Sequence, residues 1–344
     1  MCRRYHKVSL GIPVLWVFVH VLRFQSVGEN VRWAHDTANP WRLPPSTLPA
    51  QPTLGAGGTA EIMAEQYGRL DQWSKTAAID VAKAREMAAM LEHRGRNADE
   101  VAARNAYLTL LGMRPGERVL EVGCGTGVVL RDLARRVGPN GSALGLDPSP
   151  ALLAIARELA DKAGLGQSIE LREGDARVLP FGAAEFDAAL AVTTLAHIPD
   201  GRRAIRELVR VVRPGGRVGI FERDPDSYIV AHPDRALTRR IVAARSDHGS
   251  ADGWLARALP RLMAAAGLRD VQVRAFTSIE TDPAGFYSSL ADRSADTAIG
   301  AGVISEEERR QWLEALATER ASGGFIAGLT LLFAWGTRAE GPDA

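Results

Sequence analysis

The chain has 344 residues, 46% of them hydrophobic and 24% charged, with a formal net charge of +1. That length can bury one good-sized core with appended elements or two small domains, and the near-neutral balance provides no global field that would draw the protein to nucleic acid or anionic lipid. Cys2 and Cys124 lack a second cysteine at C-x-x-C spacing, so neither a disulfide framework nor a zinc site is expected, and a cytoplasmic location fits.

Arginine supplies nearly all the positive charge, since Lys7, Lys75, Lys83 and Lys162 are the only lysines. This is read as compositional bias and not as a binding patch. Residues 1–59 are expected to form a disordered extension, of the kind left by an upstream start ahead of Met63. Within them, an apolar run of 15 residues at 10–24 follows Arg3, Arg4 and Lys7. It is short for a membrane span, contains Gly11 and Pro13, and lacks a small-residue cleavage site. An anchor is the alternative reading, but no membrane partner is expected. Pro40, Pro44, Pro45, Pro49 and Pro52 then interrupt any regular pattern.

Residues 60–116 read as a helical cap. Ile62, Met63, Gln66, Tyr67 and Leu70 fall on one helical face, and a second run continues through Ile79, Ala82, Met87, Met90 and Leu91. Gly95 is expected to break it, with helix resuming over residues 101–111. Pro115 and Gly116 then turn the chain into its first core strand.

That strand carries Val119, Leu120 and Val122 and ends in a loop where Gly123, Gly125 and Gly127 alternate with small residues. Val129, Leu130, Leu133 and Val137 follow at helical spacing. A strand, glycine turn and helix in this order let a ligand lie close against bare backbone. A dinucleotide fingerprint needs a glycine at the position of Val128, and here the third glycine comes one residue early. Glu121, two residues ahead of the first glycine, would repel a diphosphate but suits an ammonium or sulfonium.

Strands and helices alternate from here, which predicts a parallel, doubly wound α/β sheet. A second strand ends at Asp147, 20 residues beyond Gly127. Ser149 can cap a helix carrying Leu152, Leu153, Ala156, Leu159 and Ala160, with Gly164 at its end. A third strand at 169–172 runs into Glu173, Gly174, Asp175 and Ala176, and a fourth covers 186–192. A helix with Ile205, Leu208, Val209 and Val212 is stopped by Pro214, and a fifth strand spans 217–222. Helical patterns follow near 236–244 and 254–266, then a sixth strand at 271–276. Residues 281–322 read as a mainly helical insertion, and 329–336 as a last strand.

The motif Glu121-Val122-Gly123-Cys124-Gly125-Thr126-Gly127 resembles the first motif of class I S-adenosylmethionine-dependent methyltransferases. Four further stretches agree in order: Leu144-Gly145-Leu146-Asp147-Pro148-Ser149, Glu173-Gly174-Asp175-Ala176, Leu179-Pro180-Phe181 with the strand at 186–192, and Arg213-Pro214-Gly215-Gly216. Together they cover about residues 117–223, and the likeness is to the ubiquinone/menaquinone-biosynthesis type. The resemblance implies a Rossmann-like methyltransferase sheet whose last strand lies antiparallel between the fifth and sixth. Residues 60–116 and 281–322 would then cover the site, within a C-terminal part spanning 224–337 and ending in a tail at 338–344.

S-adenosyl-L-methionine is the implied cofactor. Gly123, Gly125 and Gly127 would let it approach the main chain, with Cys124 and Thr126 between them and Cys124 offering only its backbone N–H. Asp147, followed by Pro148, would accept the ribose hydroxyls. Gly174, Asp175 and Ala176 would form the adenine turn, and Val192 and Thr193, at the end of the fourth strand, would also bind the cofactor. Glu121 would meet the methionyl amine or a loop amide. Alignment of donor and acceptor can supply several kcal/mol of barrier reduction without an acid or base, so catalytic residues need not exist. The candidates are His197, as a base or as a hydrogen-bonding anchor of its loop, and Asp224, as a pocket or solvated-loop residue beside Asp226 and His232. Tyr67, Trp73 and Trp254 are candidates for a pocket wall or for core packing.

The expected partner is a small-molecule acceptor such as a quinol, polyketide or other metabolite. Nothing marks a nucleic-acid substrate: residues 191–195 lack the Asn-Pro-Pro-Tyr or Asp-Pro-Pro-Tyr pattern, and no basic patch with interleaved aromatics is present. An NAD(P)-dependent oxidoreductase and a non-catalytic cofactor-binding homologue remain as rival readings.

Overall fold

Apolar strands with both faces covered need helices on either side, and the sheet here is built that way. The computed structural model describes residues 71–340. Its strands are β1 (Arg118–Val122), β2 (Ser142–Asp147), β3 (Ile169–Glu173), β4 (Phe186–Val192), β5 (Val212–Val230), β6 (Leu268–Glu280) and β7 (Ala327–Arg338). They form one sheet in the order β3-β2-β1-β4-β5-β7-β6. Neighbours from β3 through β5 are parallel, while β7 runs antiparallel between β5 and β6. Strand order reverses beside β1, so the carboxyl ends of β1 and β4 open a crevice where a ligand can enter.

A short 3-10 turn, Gln72–Ala78, precedes α1 (Val81–Arg96) and α2 (Ala98–Leu110). The core helices are α3 (Val128–Val137), α4 (Pro150–Lys162), α5 (Gly201–Val211), α6 (Arg235–His248) and α7 (Leu255–Ala265). One face of the sheet is packed by Ile205 and Leu208 of α5 and Leu259 and Met263 of α7, against Leu120 and Ile220. The other face takes Tyr107 and Leu108 of α2 and Leu130 and Leu133 of α3, against Val119, Leu190 and Phe221. Ala84 and Met87 set α1 onto Leu152 of α4.

The insertion folds as α8 (Phe286–Gly300) and α9 (Glu306–Ser322). Tyr287, Leu290, Trp312 and Leu316 join Tyr228 of β5 and Ile241 of α6 in a core of their own. Ser305 starts α9 with a capping box, its hydroxyl accepting from Glu308 N–H while Glu308 accepts from Ser305 N–H.

Several local expectations shift. Gly95 lies inside α1, and the chain breaks two residues later at Asn97, whose side chain caps α2. Gly95 is a packing residue: a Cβ there would stand 2.7 Å from Val128 Cγ1. Val212 belongs to β5 and not to the preceding helix, and β5 begins before the Pro214–Gly216 turn instead of after it. Gly215 takes φ 71° there, next to the register shift between Phe186 and Ala188. β6 and β7 also extend beyond the apolar runs at 271–276 and 329–336, because each pairs with β7 or β5 along a long antiparallel ladder. The readings placed on residues 1–59, and on Ile62, Met63, Gln66, Tyr67 and Leu70, lie outside the described residues. No helix among those described is long and apolar enough to cross a membrane.

Candidate active site

The loop between β1 and α3 has positive φ at all three glycines, 71°, 51° and 73° at Gly123, Gly125 and Gly127, a region that residues with a Cβ rarely adopt. Gly123 is also required for space, since a Cβ there would lie 2.2 Å from Thr194 Cγ2. The loop is fixed from β2: Gly123 and Cys124 N–H both donate to Leu146 O, at 2.7 and 3.1 Å. Cys124 therefore gives its amide to the sheet, not to a ligand as expected from sequence. Its buried side chain packs beside Gly145, and burial pushes the thiol well above its ordinary range.

Asp147, at the end of β2, is tied to the same loop. Its Oδ2 accepts from Gly125 N–H and its Oδ1 from Ser149 N–H, both at 2.9 Å. Burial lifts its carboxyl to about 6, although both amides pull the other way. Ser149 in turn accepts from Leu152 N–H and caps α4.

Over the loop lies a cavity of about 490 Å³, within the range of small-molecule and cofactor sites. Every cofactor residue named from sequence lines it except Gly127, which starts α3. Thr126 directs its hydroxyl away, to Glu92 Oε1 at 2.8 Å, and Glu92 also receives Arg131 at 2.9 Å. Asp175 is half-exposed and holds Arg177 through both carboxylate oxygens, which keeps its carboxyl below the usual range. Gly174 and Ala176 complete that turn.

Glu121 is 2% exposed, and its Oε2 is buried with no hydrogen-bond partner among the described residues. No loop amide reaches that atom. Burial raises its carboxyl well above the usual range, with Arg131 opposing and Asp147 reinforcing the shift. A buried acceptor left in this state is costly unless a donor arrives. The cavity thus offers a glycine cradle and a buried carboxyl oxygen without a hydrogen-bond partner within one wall.

The opposite rim comes from the chain after β4. Thr193 has φ 49° and accepts from Arg94 at 3.1 Å. Glu222, buried at the end of the apolar part of β5, accepts from Thr194 and Leu195 N–H at 2.8 and 2.6 Å, which sets the short 3-10 turn Leu195–His197. Burial raises the Glu222 carboxyl, with the neighbouring His197 acting against it. His197 Nδ1 lies 2.8 Å from Asp71 Oδ2, and Asp71 is 2% exposed. Asp71 also accepts from Trp73 N–H. If Nδ1 carries the proton, Nε2 keeps its lone pair, the arrangement of a carboxylate-oriented base.

Asp71, Glu92, Arg94 and Glu222 were not identified from sequence as site residues. Each acts through a partner distant in the chain, 126 residues away for Asp71 and 99 for Arg94. Asp224 does not line the large cavity; it pairs with Arg257 at 2.9 Å, and Asp226 does so at 3.4 Å. His232 stacks on Trp312 at 4.2 Å. Trp73 does line the cavity, whereas Trp254 is exposed under Arg257.

Residues 119–216 match a family model described as a methyltransferase domain. An uncharacterized 37.1 kDa protein in transposon TN4556 of Streptomyces fradiae is 32% identical over 229 residues, covering 66% of this chain and 64% of that protein. A demethylmenaquinone methyltransferase of Bacillus cytotoxicus is 38% identical over 128 residues, 37% of this chain and 54% of the relative. The chain thus spans between about half and two thirds of the length of these relatives. Among solved structures, the YcgJ protein of Bacillus subtilis superposes with a TM-score of 0.50 at 20% identity, over 70% of this chain and 99% of that one, a likeness of fold. By its ordered motifs, its mixed seven-stranded sheet and the family match over residues 119–216, the chain carries a methyltransferase domain of the class I S-adenosylmethionine-dependent kind, similar to the ubiquinone/menaquinone-biosynthesis type.

Proposed function

We propose that the protein transfers a methyl group from S-adenosyl-L-methionine to a small-molecule acceptor, of the quinol, polyketide or other metabolite classes. The observation that carries this reading is Glu121, whose buried Oε2 has no hydrogen-bond partner among the described residues, set beside a glycine cradle in a cavity of about 490 Å³. When bound, S-adenosylmethionine supplies a methyl group activated by a sulfonium, whose departure as a neutral thioether needs no acid.

The residues divide the cofactor between them. Glu121 would receive the methionyl ammonium, and Arg94, on the same cavity, the carboxylate. Asp147 would accept ribose hydroxyls through the lone pairs its two amide bonds leave free. Gly174, Asp175 and Ala176 would border the adenine, and Val192 and Thr193, on the opposite rim, the methionyl end. The cap helices and the turn at Trp73 cover this region and exclude water, so that in-line alignment supplies most of the acceleration. His197, oriented by Asp71, would take the proton that a hydroxyl or enol nucleophile loses on methylation. Asp224, held by Arg257, has no part in this scheme. A reducing, cytoplasmic setting fits the buried free thiol of Cys124.

Equilibrium dialysis with S-adenosylhomocysteine and with NAD(P) tests the cofactor. Tight binding of the first and none of the second is expected; the reverse would establish an oxidoreductase. Transfer of label from methyl-labelled donor to an acceptor in a metabolite extract then separates an enzyme from a non-catalytic homologue.

A further inference from the structure

Beside the large cavity lies a second one of about 220 Å³, and the two share Trp73, Leu91 and Arg94 as lining. Four guanidinium groups reach it from four elements: Arg94 of α1, Arg223 of β5, Arg245 of α6 and Arg293 of α8. The carboxylates on its wall are Asp71 and Asp296. Both are engaged, Asp71 by His197 at 2.8 Å and Asp296 by Arg309 at 2.6 Å. Arg94 approaches Glu100 no closer than 3.8 Å. Arg245 and Arg293 donate to neutral hydroxyls, Thr297 at 3.3 Å and Ser289 at 2.8 Å. The Arg223 side chain has no hydrogen bond or ion pair among the described residues, and Glu100 is the carboxylate that most favours its charge. Its guanidinium stands 5.6 Å from the centre of the Phe286 ring, with Arg94 at 5.9 Å and Arg293 at 5.5 Å from the same ring.

Like charges gathered in a partly dry space repel one another, and desolvation adds to that cost. A fold that keeps them there gains when an anion enters. Burial, and then the neighbouring Arg94, bring Arg223 down to about 10, and burial with Arg293 does the same for Arg245. Both stay cationic at neutral pH. Guanidinium groups match the planar, paired oxygens of a carboxylate or phosphate, and the Phe286 ring offers a flat apolar contact beside them. The cavity is also well placed for transfer, because Asp71 sits on its wall and holds His197, which lines the cofactor cavity. The arginines read from sequence as compositional bias thus include four that converge on one cavity.

We propose that this second cavity is the acceptor subsite and that the acceptor carries an oxyanion, a carboxylate or a phosphate, held by Arg223, Arg245 and Arg293 with its nucleophile toward His197. The assignment rests on the methyl-transfer reading, and it narrows the acceptor: a neutral quinol would leave the arginines unanswered.

Calorimetry on the full chain loaded with S-adenosylhomocysteine tests it, using benzoate, phenyl phosphate and neutral benzyl alcohol as probes. At least one anion should bind saturably and benzyl alcohol should not; tighter benzoate binding identifies a carboxylate site, tighter phenyl phosphate a phosphate site. Arg223→Gln and Arg245→Gln should each weaken that anion at least tenfold while S-adenosylhomocysteine affinity stays within twofold. Normal S-adenosylhomocysteine binding with no saturable anion, or with an anion indifferent to both substitutions, overturns the acceptor proposal alone. Failure of S-adenosylhomocysteine to bind at all sinks the methyl-transfer reading and this assignment with it. Thermal unfolding of the unmodified protein needs no variant: at constant ionic strength the bound anion should raise the midpoint, and an absent shift counts against the site.

Discussion

Asp147 has two tasks that use the same atoms. Its oxygens accept from Gly125 and Ser149 N–H and so hold the glycine loop against the start of α4, yet each oxygen keeps an acceptor direction for a ribose hydroxyl. Only the ionised form can serve both. Because burial lifts this carboxyl from 3.8 to about 6, the ligand-free protein should lose some of the group's contribution to folding as pH rises through that interval. Ligand binding has the opposite sign. S-adenosylhomocysteine affinity should be level above about pH 7 and weaken as pH falls through about 6, approaching tenfold per unit. Asp147→Ala should cost about 10- to 100-fold in affinity, the worth of one or two charge-assisted hydrogen bonds, and should flatten that pH profile. Calorimetry across the pH range measures both, and a pH-independent affinity in the unmodified protein would argue that Asp147 only braces the loop. The place of Asp147 on the cavity wall was legible because strand end, acid and cap fall within a few residues of one another. Asp71 was not legible: a single aspartate ahead of a helix reads as a cap, and only folding brings it 2.8 Å from His197.

The elements closest to the ligand are tied together by side chains rather than by apolar packing alone. Glu92 of α1 accepts from the Thr126 hydroxyl of the glycine loop and, through both its carboxylate oxygens, from Arg131 Nη2, at 2.8 to 3.0 Å, while Arg131 Nη1 donates to Thr126 O. This knot is partly shielded, Glu92 being 20% and Arg131 13% exposed in their side chains. It should be worth more than a surface ion pair, about 1–3 kcal/mol. Glu92→Ala should therefore loosen α1 from the loop, raising amide exchange over residues 81–96 by roughly tenfold or more and shortening the residence of S-adenosylhomocysteine. Unchanged exchange would mean that Ala84 and Met87 on Leu152 suffice to seat the helix. Strand-scale features were read well where one segment carries its own pattern, as with β4, whose bounds match residues 186–192. They were read less well where a neighbour sets the length. β5 and β7 run past their apolar runs because each supplies the other's hydrogen bonds, from Arg217 opposite Thr337 to Val230 opposite Ala327. Gly95 misled for a related reason, since its role is contact with Val128 rather than termination.

At the scale of the whole molecule, the sheet and its two covers make separate contributions. The strands β1, β2 and β4 present the cofactor wall, while α1, β5, α6 and α8 bring the arginines of the neighbouring cavity from segments spread over residues 94–293. No short window of sequence contains that second grouping, which is why composition made the arginines look uninformative. The reading of residues 1–59 as an extension, made from their proline-rich and irregular sequence, predicts that a protein lacking them remains folded and soluble. Its S-adenosylhomocysteine affinity should lie within about twofold of the full chain, a difference of only about 0.4 kcal/mol. Its anion binding at Arg223 and Arg245 should persist as well. Expression of the shortened chain, its thermal midpoint and two titrations give the answer. A shortened protein that binds neither ligand while retaining a sharp unfolding transition would assign the leading segment to the site itself, and one that fails to fold would assign it to the core.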